Sequence, residues 1–319
     1  MNQNTSITQN ASTKSNLSTS LNISTPSDRH TIFSFQDAHG TIPYNMTNDY
    51  MFRAVLQSNN KVLRGLVCSL LHLKESEVRS VEITNSIILG ESIKDKEIRL
   101  DINVILNNNT HINLEMQVAN ELNWPDRSLL YMCRSFDQLN HGQKYQEIKP
   151  VIHIGFLGYT LFKEYPEFYA TYKLINVNNN HIYSDKMTLS VVNLARIDLA
   201  TDVDKEFQID KWASLFKATT WEDLKMIAAN NMYLNEASQT IYHMNSDYWI
   251  RKACIEREEY YLDIQCFNET IAEQEKIITE QGNTIAEQEN TIAEQENTIA
   301  EKEKTIQQLH AEIESLTSR

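Results

Sequence analysis

Residues 99–118 read Arg99-Leu-Asp-Ile-Asn-Val-Ile-Leu, then Asn107-Asn-Asn-Thr, then His111-Ile-Asn-Leu-Glu-Met-Gln-Val. Apolar and polar residues alternate cleanly on both sides of an asparagine cluster, which is the pattern of a β-hairpin. Leu100, Ile102, Val104 and Leu106 share one face. Ile112, Leu114, Met116 and Val118 must join them on the core side, because a one-residue slip would bury the polar set instead. A three-residue loop, Asn107 to Asn109, satisfies that parity. It pairs Leu106 with Thr110, Asn103 with Asn113, Asp101 with Glu115 and Arg99 with Gln117. A loop at 108–110 also keeps parity and leaves the two acids diagonal to each other.

Directly opposed side chains have Cβ atoms ~5 Å apart, so two carboxylates at Asp101 and Glu115 repel. A divalent cation reverses the sign of that interaction, since oxygen ligands from adjacent strands are what Mg²⁺ or Mn²⁺ takes. The other reading of the pattern is a hairpin whose outer face is polar because it meets solvent.

The rest of the chain places this hairpin in an α/β context. A helix is predicted from Thr47-Asn48-Asp49, with Thr47 or Asn48 as its cap and Asp49 at the positive end of its dipole. Asn59-Asn60 divides it into two. Strands are predicted at 78–83, 87–89, 98–106, 111–118, 151–157, 169–177 and 187–194. An amphipathic helix over 127–139 carries Leu129, Met132, Cys133, Phe136 and Leu139 on one side. On the other side Arg127, Tyr131, Arg134 and Gln138 recur at helical spacing, available to phosphates or simply to solvent. From Asp210 onward the pattern is helical. Trp212, Phe216, Trp221, Tyr233, Tyr242, Tyr248 and Trp249 read as core. His111, His141 and His153 show no metal-ligand spacing.

Composition excludes several functions. Seven glycines in 319 residues is far below the usual ~7%. No three of them form G-x-G-x-x-G or a P-loop, so phosphates are not cradled by a glycine-rich turn. The net charge of −14 argues against a generally basic DNA-binding surface. Much of it belongs to residues 269–319, which hold twelve acids and four bases. Cys68, Cys133, Cys254 and Cys266 form no C-x-x-C, which suits a reducing cytoplasm. The polar N-terminal stretch lacks the apolar region of a signal peptide, and no membrane span is expected.

Four regions are expected: a disordered tail at 1–43, the α/β core at 44–195, a helical region at 196–265 and a heptad-repeat coiled coil at 266–319. In the last, isoleucine recurs every seven residues from Ile271 to Ile313. That period specifies a left-handed coiled coil and hence a homo-oligomer. With isoleucine at position a, position d is glutamine from Gln274 to Gln295, then Lys302, Leu309 and Leu316.

Asp101, thirteen intervening residues and Glu115-x-Gln117 resemble the active-site hairpin of PD-(D/E)XK nucleases in the E-x-Q variant. The resemblance is to the recombination-promoting nuclease or putative transposase family, over residues 44–265. It extends through Asn48-Asp49-Tyr-Met-Phe52-Arg, Arg99-Leu-Asp101, Arg127-Ser-Leu-Leu-Tyr131, Gly142-Gln-Lys-Tyr145, the Val151-Ile-His-Ile strand, Trp212 and Glu256-Arg-Glu258. Leu100 stands where the superfamily name has proline, and Gln117 where it has lysine.

The resemblance implies a restriction-endonuclease-like core, a mixed sheet flanked by helices. It also implies a Mg²⁺-dependent DNA endonuclease, with Mn²⁺ as an alternative ion. Asp101 and Glu115 would hold the metal, with the Met116 carbonyl as a further ligand. Gln117 would orient the nucleophile, and Asp49 matches an accessory acid. Arg127, Tyr131, Arg134 and Lys144 would face DNA. The competing expectation is a decayed nuclease fold acting as a DNA-binding or coiled-coil interaction protein. RNA also remains open as a substrate.

Overall fold

The hairpin forms in the first of the two predicted registers. In the computed structural model, which describes residues 34–85 and 101–317, β2 (Ile102–Leu106) and β3 (Thr110–Gln117) run antiparallel, with Leu106 opposite Thr110 and Ile102 opposite Leu114. Asn107 and Asn108 take positive φ of 52° and 57°, a conformation asparagine tolerates better than most residues. The Asn107 amide also fastens the loop to the approach to β1 (Val81–Ile83): its oxygen accepts from the Arg79 N–H at 2.6 Å and its nitrogen donates to the Glu77 carbonyl at 2.9 Å. The predicted strand at 87–89, the start of the one at 98–106, and the Arg99–Gln117 pairing lie outside the described residues, as does most of the N-terminal tail.

Four further segments complete a six-stranded mixed sheet in the order β1-β2-β3-β4-β6-β5, with β4 at Val151–Leu157, β5 at Tyr169–Lys173 and β6 at Met187–Asn193. β3, β4 and β6 are mutually parallel, and β1 and β5 close the edges antiparallel. One face carries the principal core. Against it pack α1 (Asp49–Ser58), α2 (Asn60–Leu70), α5 (Ile209–Lys217) and α7 (Met232–Ser246). Asn48 caps α1, accepting from the Tyr50 and Met51 N–H groups, and Asn59 caps α2 in the same way. The rings of Phe52 (α1), Phe156 (β4) and Phe216 (α5) meet at 5.2–5.7 Å, so sheet and C-terminal helices share one core. α4 (Asp202–Glu206) and α6 (Trp221–Ala228) complete this layer.

The opposite face is covered by α3 (Trp124–Phe136), which lies over β4 and β6 rather than over the hairpin. This placement corrects the expected inner face of α3. Trp124, Ser128 and Met132 are buried, whereas Leu129 is 50% exposed and Cys133 is exposed. Trp124 packs there against Leu157 of β4 and Val191 of β6, a small apolar cluster beside the polar side chains of β3.

α8 (Tyr248–Thr317) is one continuous helix of 70 residues. Its first turns dock through Ile250, Ala253 and Cys254, and the Asn48 amide donates to the Cys254 carbonyl at 3.1 Å. Beyond residue 264 every described residue is exposed. Tyr248 and Trp249, expected in the core, are 61% and 57% exposed. Among the described residues no helix is long and apolar enough to cross a membrane.

Candidate active site

The polar face of the hairpin is not a solvent face. Asn113, Glu115 and Gln117 on β3 are all buried, because α3 and its approach lie above them. The next step of the hairpin register sets Asp101 opposite Glu115. The amide of Asn113 donates to Asp101 Oδ2 at 2.6 Å and to Asn103 Oδ1 at 2.7 Å, which holds the Asp101 carboxylate over the sheet. The main chain of Asp101 is held from the other side. Arg53 of α1, fully buried, donates to the Asp101 and Asn85 carbonyls.

Glu115 has the most unusual surroundings in the molecule. Its carboxylate is 4% exposed, with Arg127 Nη2 2.5 Å from Oε1 and His153 Nε2 3.6 Å from Oε2. No other donor among the described residues serves either oxygen. Burial pushes its pKa up to about 7; the charge of Arg127 opposes this and that of Asp101 adds to it. His153, fully buried on β4, is driven down to about 4 by burial and by Arg127. It is therefore neutral at pH 7. At 3.6 Å it is a polar contact of Glu115, too long for a hydrogen bond and not an ion pair.

Trp124 closes the site from above. Its ring packs on Gly155, the β4 partner of Glu115, where an added Cβ would come within 2.1 Å of the indole. The ring also lies 5.4 Å from that of His153. Arg127 bridges the site to Glu121 at 3.4 Å and stacks over Tyr131, 5.5 Å from its centroid. Burial works against its charge, but Glu115, Tyr131 and Glu121 outweigh that and hold the guanidinium above its ordinary pKa.

Because α3 sits over β4 and β6, the hairpin side is left open as a recess of about 300 Å³. Asp101, Asn103, Asn113, Tyr131 and Arg134 line it. Asp101, Tyr131 and Arg134 thus share one cleft, with Glu115 and Arg127 adjoining. Gln117 is buried beyond Glu115, and among the described residues neither of its amide atoms has a partner. Lys144 lies in the exposed segment after α3 and does not line the recess.

Asp49 is placed differently. Its carboxylate accepts from Arg257 Nε at 3.1 Å, Arg257 Nη2 at 2.5 Å and the Tyr261 hydroxyl at 2.7 Å. It lines a second recess of about 670 Å³, together with Met116, Glu121 and residues of α8. Arg257→Met would leave a buried carboxylate without its counter-ion, at a cost of about 3–5 kcal/mol. A fall in melting temperature of roughly 10 °C is expected, largely recovered in the Asp49→Asn/Arg257→Met double variant. Thermal denaturation of the three variants checks this, and additive losses would show that the pair is not coupled.

Among the described residues no three His, Cys, Asp or Glu side chains converge to hold a metal ion. Two carboxylates do converge, and beyond the Arg127 ion pair the buried oxygens of Glu115 and Oδ1 of Asp101 have no hydrogen-bond partner among the described residues. That donor set fits Mg²⁺, which binds through one or two carboxylates and keeps other positions for water and substrate phosphate. His153, Trp124, Asn113 and Arg53 support this site without any spacing signal that singles them out. Only the strand parity of Asn113 and His153 puts them on the face of Glu115.

A family model described as PD-(D/E)XK nuclease family transposase matches residues 46–271. No curated protein and no solved structure matches the chain.

Proposed function

We propose that this chain, which belongs to the PD-(D/E)XK nuclease family transposases, is a metal-dependent endonuclease that hydrolyses phosphodiester bonds in DNA. The observation that carries the reading is the Asp101–Glu115 pair: like charges opposed on one sheet, one of them buried, beside a cleft lined by Arg134 and Tyr131. A structural sheet gains nothing from that pairing.

In this reading Asp101, Glu115 and the Met116 carbonyl hold Mg²⁺ or Mn²⁺. The bound ion supplies a low-pKa water and neutralises charge on the phosphate. Asn113 keeps Asp101 aimed at the shared position. Gln117, neutral where the superfamily has lysine, orients a water by hydrogen bonding and adds no charge. Arg134 and Tyr131 position the nucleic-acid backbone. Asp49 anchors α8 to α1 through Arg257, and any assistance to the chemistry passes through that contact. The reducing cytoplasm is the compartment that suits such an enzyme with free thiols.

The test is relaxation of supercoiled plasmid with Mg²⁺ or Mn²⁺. Cleavage that stops with a chelator, and with Asp101→Ala or Glu115→Ala, supports the reading. Cleavage that survives both substitutions removes the site assignment. A well-folded protein that cuts neither DNA nor RNA is the decayed-fold alternative, and one that cuts only RNA corrects the substrate.

Arg127 occupies Glu115 in the absence of metal, so it competes with the ion. Arg127→Met is expected to tighten Mn²⁺ binding about tenfold at pH 9, where protons no longer compete. That is the order of a hydrogen bond to a charged group. Titration calorimetry reads it, and unchanged or weaker binding would show that Arg127 does not oppose the ion.

A further inference from the structure

We infer that α8 pairs with α8 of a second copy of this chain in a parallel, in-register, two-stranded coiled coil, which brings two nuclease bodies to the same end. Among the described residues the isoleucine stripe has no cover: Ile278, Ile285, Ile292, Ile299, Ile306 and Ile313 are 53–65% exposed. A seven-residue period is matched by another helix of the same period, and this chain supplies one.

Charge selects the orientation. With isoleucine at a, position e from 275 to 310 is Glu275, Gly282, Glu289, Glu296, Glu303 and His310, four of the six glutamate, whereas position g is threonine at 270, 284, 291, 298 and 305, with Ile277 and Glu312. An antiparallel pair sets e against e, glutamate facing glutamate. A parallel pair sets g against e, threonine facing glutamate, with no like-charge contact. The threonine hydroxyls donate to the carbonyl four residues earlier, as Thr284, Thr291, Thr298 and Thr305 do at 2.9–3.0 Å. They need no partner across the interface.

The parallel arrangement also sets each glutamine at d against its own counterpart, where two amides can exchange hydrogen bonds. The antiparallel one sets each isoleucine at a against the d residue of the other helix, so the glutamines face isoleucine and lose their own counterparts. Lys302 is the opposing layer, and its long stem can carry the ammonium out to water.

Register and strand number come from the ends. Identical heptads tolerate a seven-residue slip. Ile306, Leu309, Ile313 and Leu316 form the one run with apolar residues at both a and d, and a slip sets leucine against lysine or glutamine. Isoleucine at a with leucine at d favours two strands. The exposed rod from residue 266 to 317 is roughly 75–80 Å long at 1.5 Å per residue. A parallel pair places both bodies at one end of it, and an antiparallel pair separates them by that length. The consequence, two active sites on one duplex, rests on the endonuclease reading.

The experiment uses the full-length chain with the exposed Cys133 and Cys266 replaced by serine and Lys302→Cys introduced at d. Sedimentation equilibrium is expected to give two chains, and mild oxidation an inter-chain disulfide. An antiparallel pair holds the two introduced cysteines roughly 30 Å apart and forms none. A monomer at micromolar concentration, a trimer, or a dimer without the disulfide each overturns the inference. Ile306→Asp with Ile313→Asp is expected to return monomers, and a dimer that persists counts against it equally. Mass and cross-link are read without catalysis, so an inactive enzyme leaves this inference standing, and its failure leaves the nuclease reading untouched.

Discussion

Glu115→Ala is expected to lower metal-dependent DNA cleavage by about 10³-fold or more. Groups that merely orient a ligand cost 10–100-fold when removed, and on the proposed reading Glu115 is a ligand itself. Its carboxylate and that of Asp101 are then the two that meet the divalent ion, so its loss would remove half of that anionic charge. Asp101→Ala is expected to cost as much. It also removes one of the two acceptors of the Asn113 amide, which donates to Asp101 Oδ2 at 2.6 Å and to Asn103 Oδ1 at 2.7 Å. The double variant should fall little further, because two ligands of one ion act as a unit. Initial rates of plasmid nicking give the comparison, with Mn²⁺ affinity measured alongside. A Glu115→Ala protein that is still folded and cuts within tenfold of the parent would place the chemistry elsewhere.

The hairpin was legible because its constraints are local. Strand parity fixed which residues share a face, and asparagines that accept positive φ marked the turn. Parity left two loops open, and the one observed, at 107–109, is the one that aligns Asp101 with Glu115. What lies above that face was not legible. The site is closed by Trp124 resting on Gly155, a contact between segments that carry no shared pattern. The amphipathic reading of α3 chose the larger apolar stripe, whereas the helix turns Trp124, Ser128 and Met132 inward, with Trp124 packed against Leu157 and Val191 of the sheet. His153 looked like an ordinary strand histidine, since its role depends on the residue beside it on β3. Asp49 read as an acid at a helix start. Its partner Arg257, 208 residues away, is a tertiary pairing with no signature in spacing. Tyr248 and Trp249 misled for a related reason: helical periodicity records a face, not whether the body of the protein reaches it.

The burial of Glu115 sets a second large effect, on stability rather than rate. Its pKa is about 7 in the folded, metal-free protein against an ordinary value of 4.5. Between those values the folded state binds more protons than the unfolded one, so stability falls as pH rises from about 4.5 through 7. A shift of this size corresponds to a penalty on the order of 3–3.5 kcal/mol above pH 7, at about 1.4 kcal/mol per pKa unit. Glu115→Gln keeps the shape and removes the charge. The variant is therefore expected to be more stable than the parent at pH 8 by an amount of that order, and to match it near pH 4.5. Mg²⁺ or Mn²⁺ should then raise the melting temperature of the parent at pH 8 and leave that of the variant unchanged, since only the ionised carboxylate holds the ion. Calorimetric melts of both proteins at the two pH values, with and without metal, read all of these terms together. Equal stability of parent and variant at pH 8 would mean that Arg127 fully compensates the buried charge. The site would then be an ion pair already satisfied in itself, with no electrostatic reason to recruit a metal.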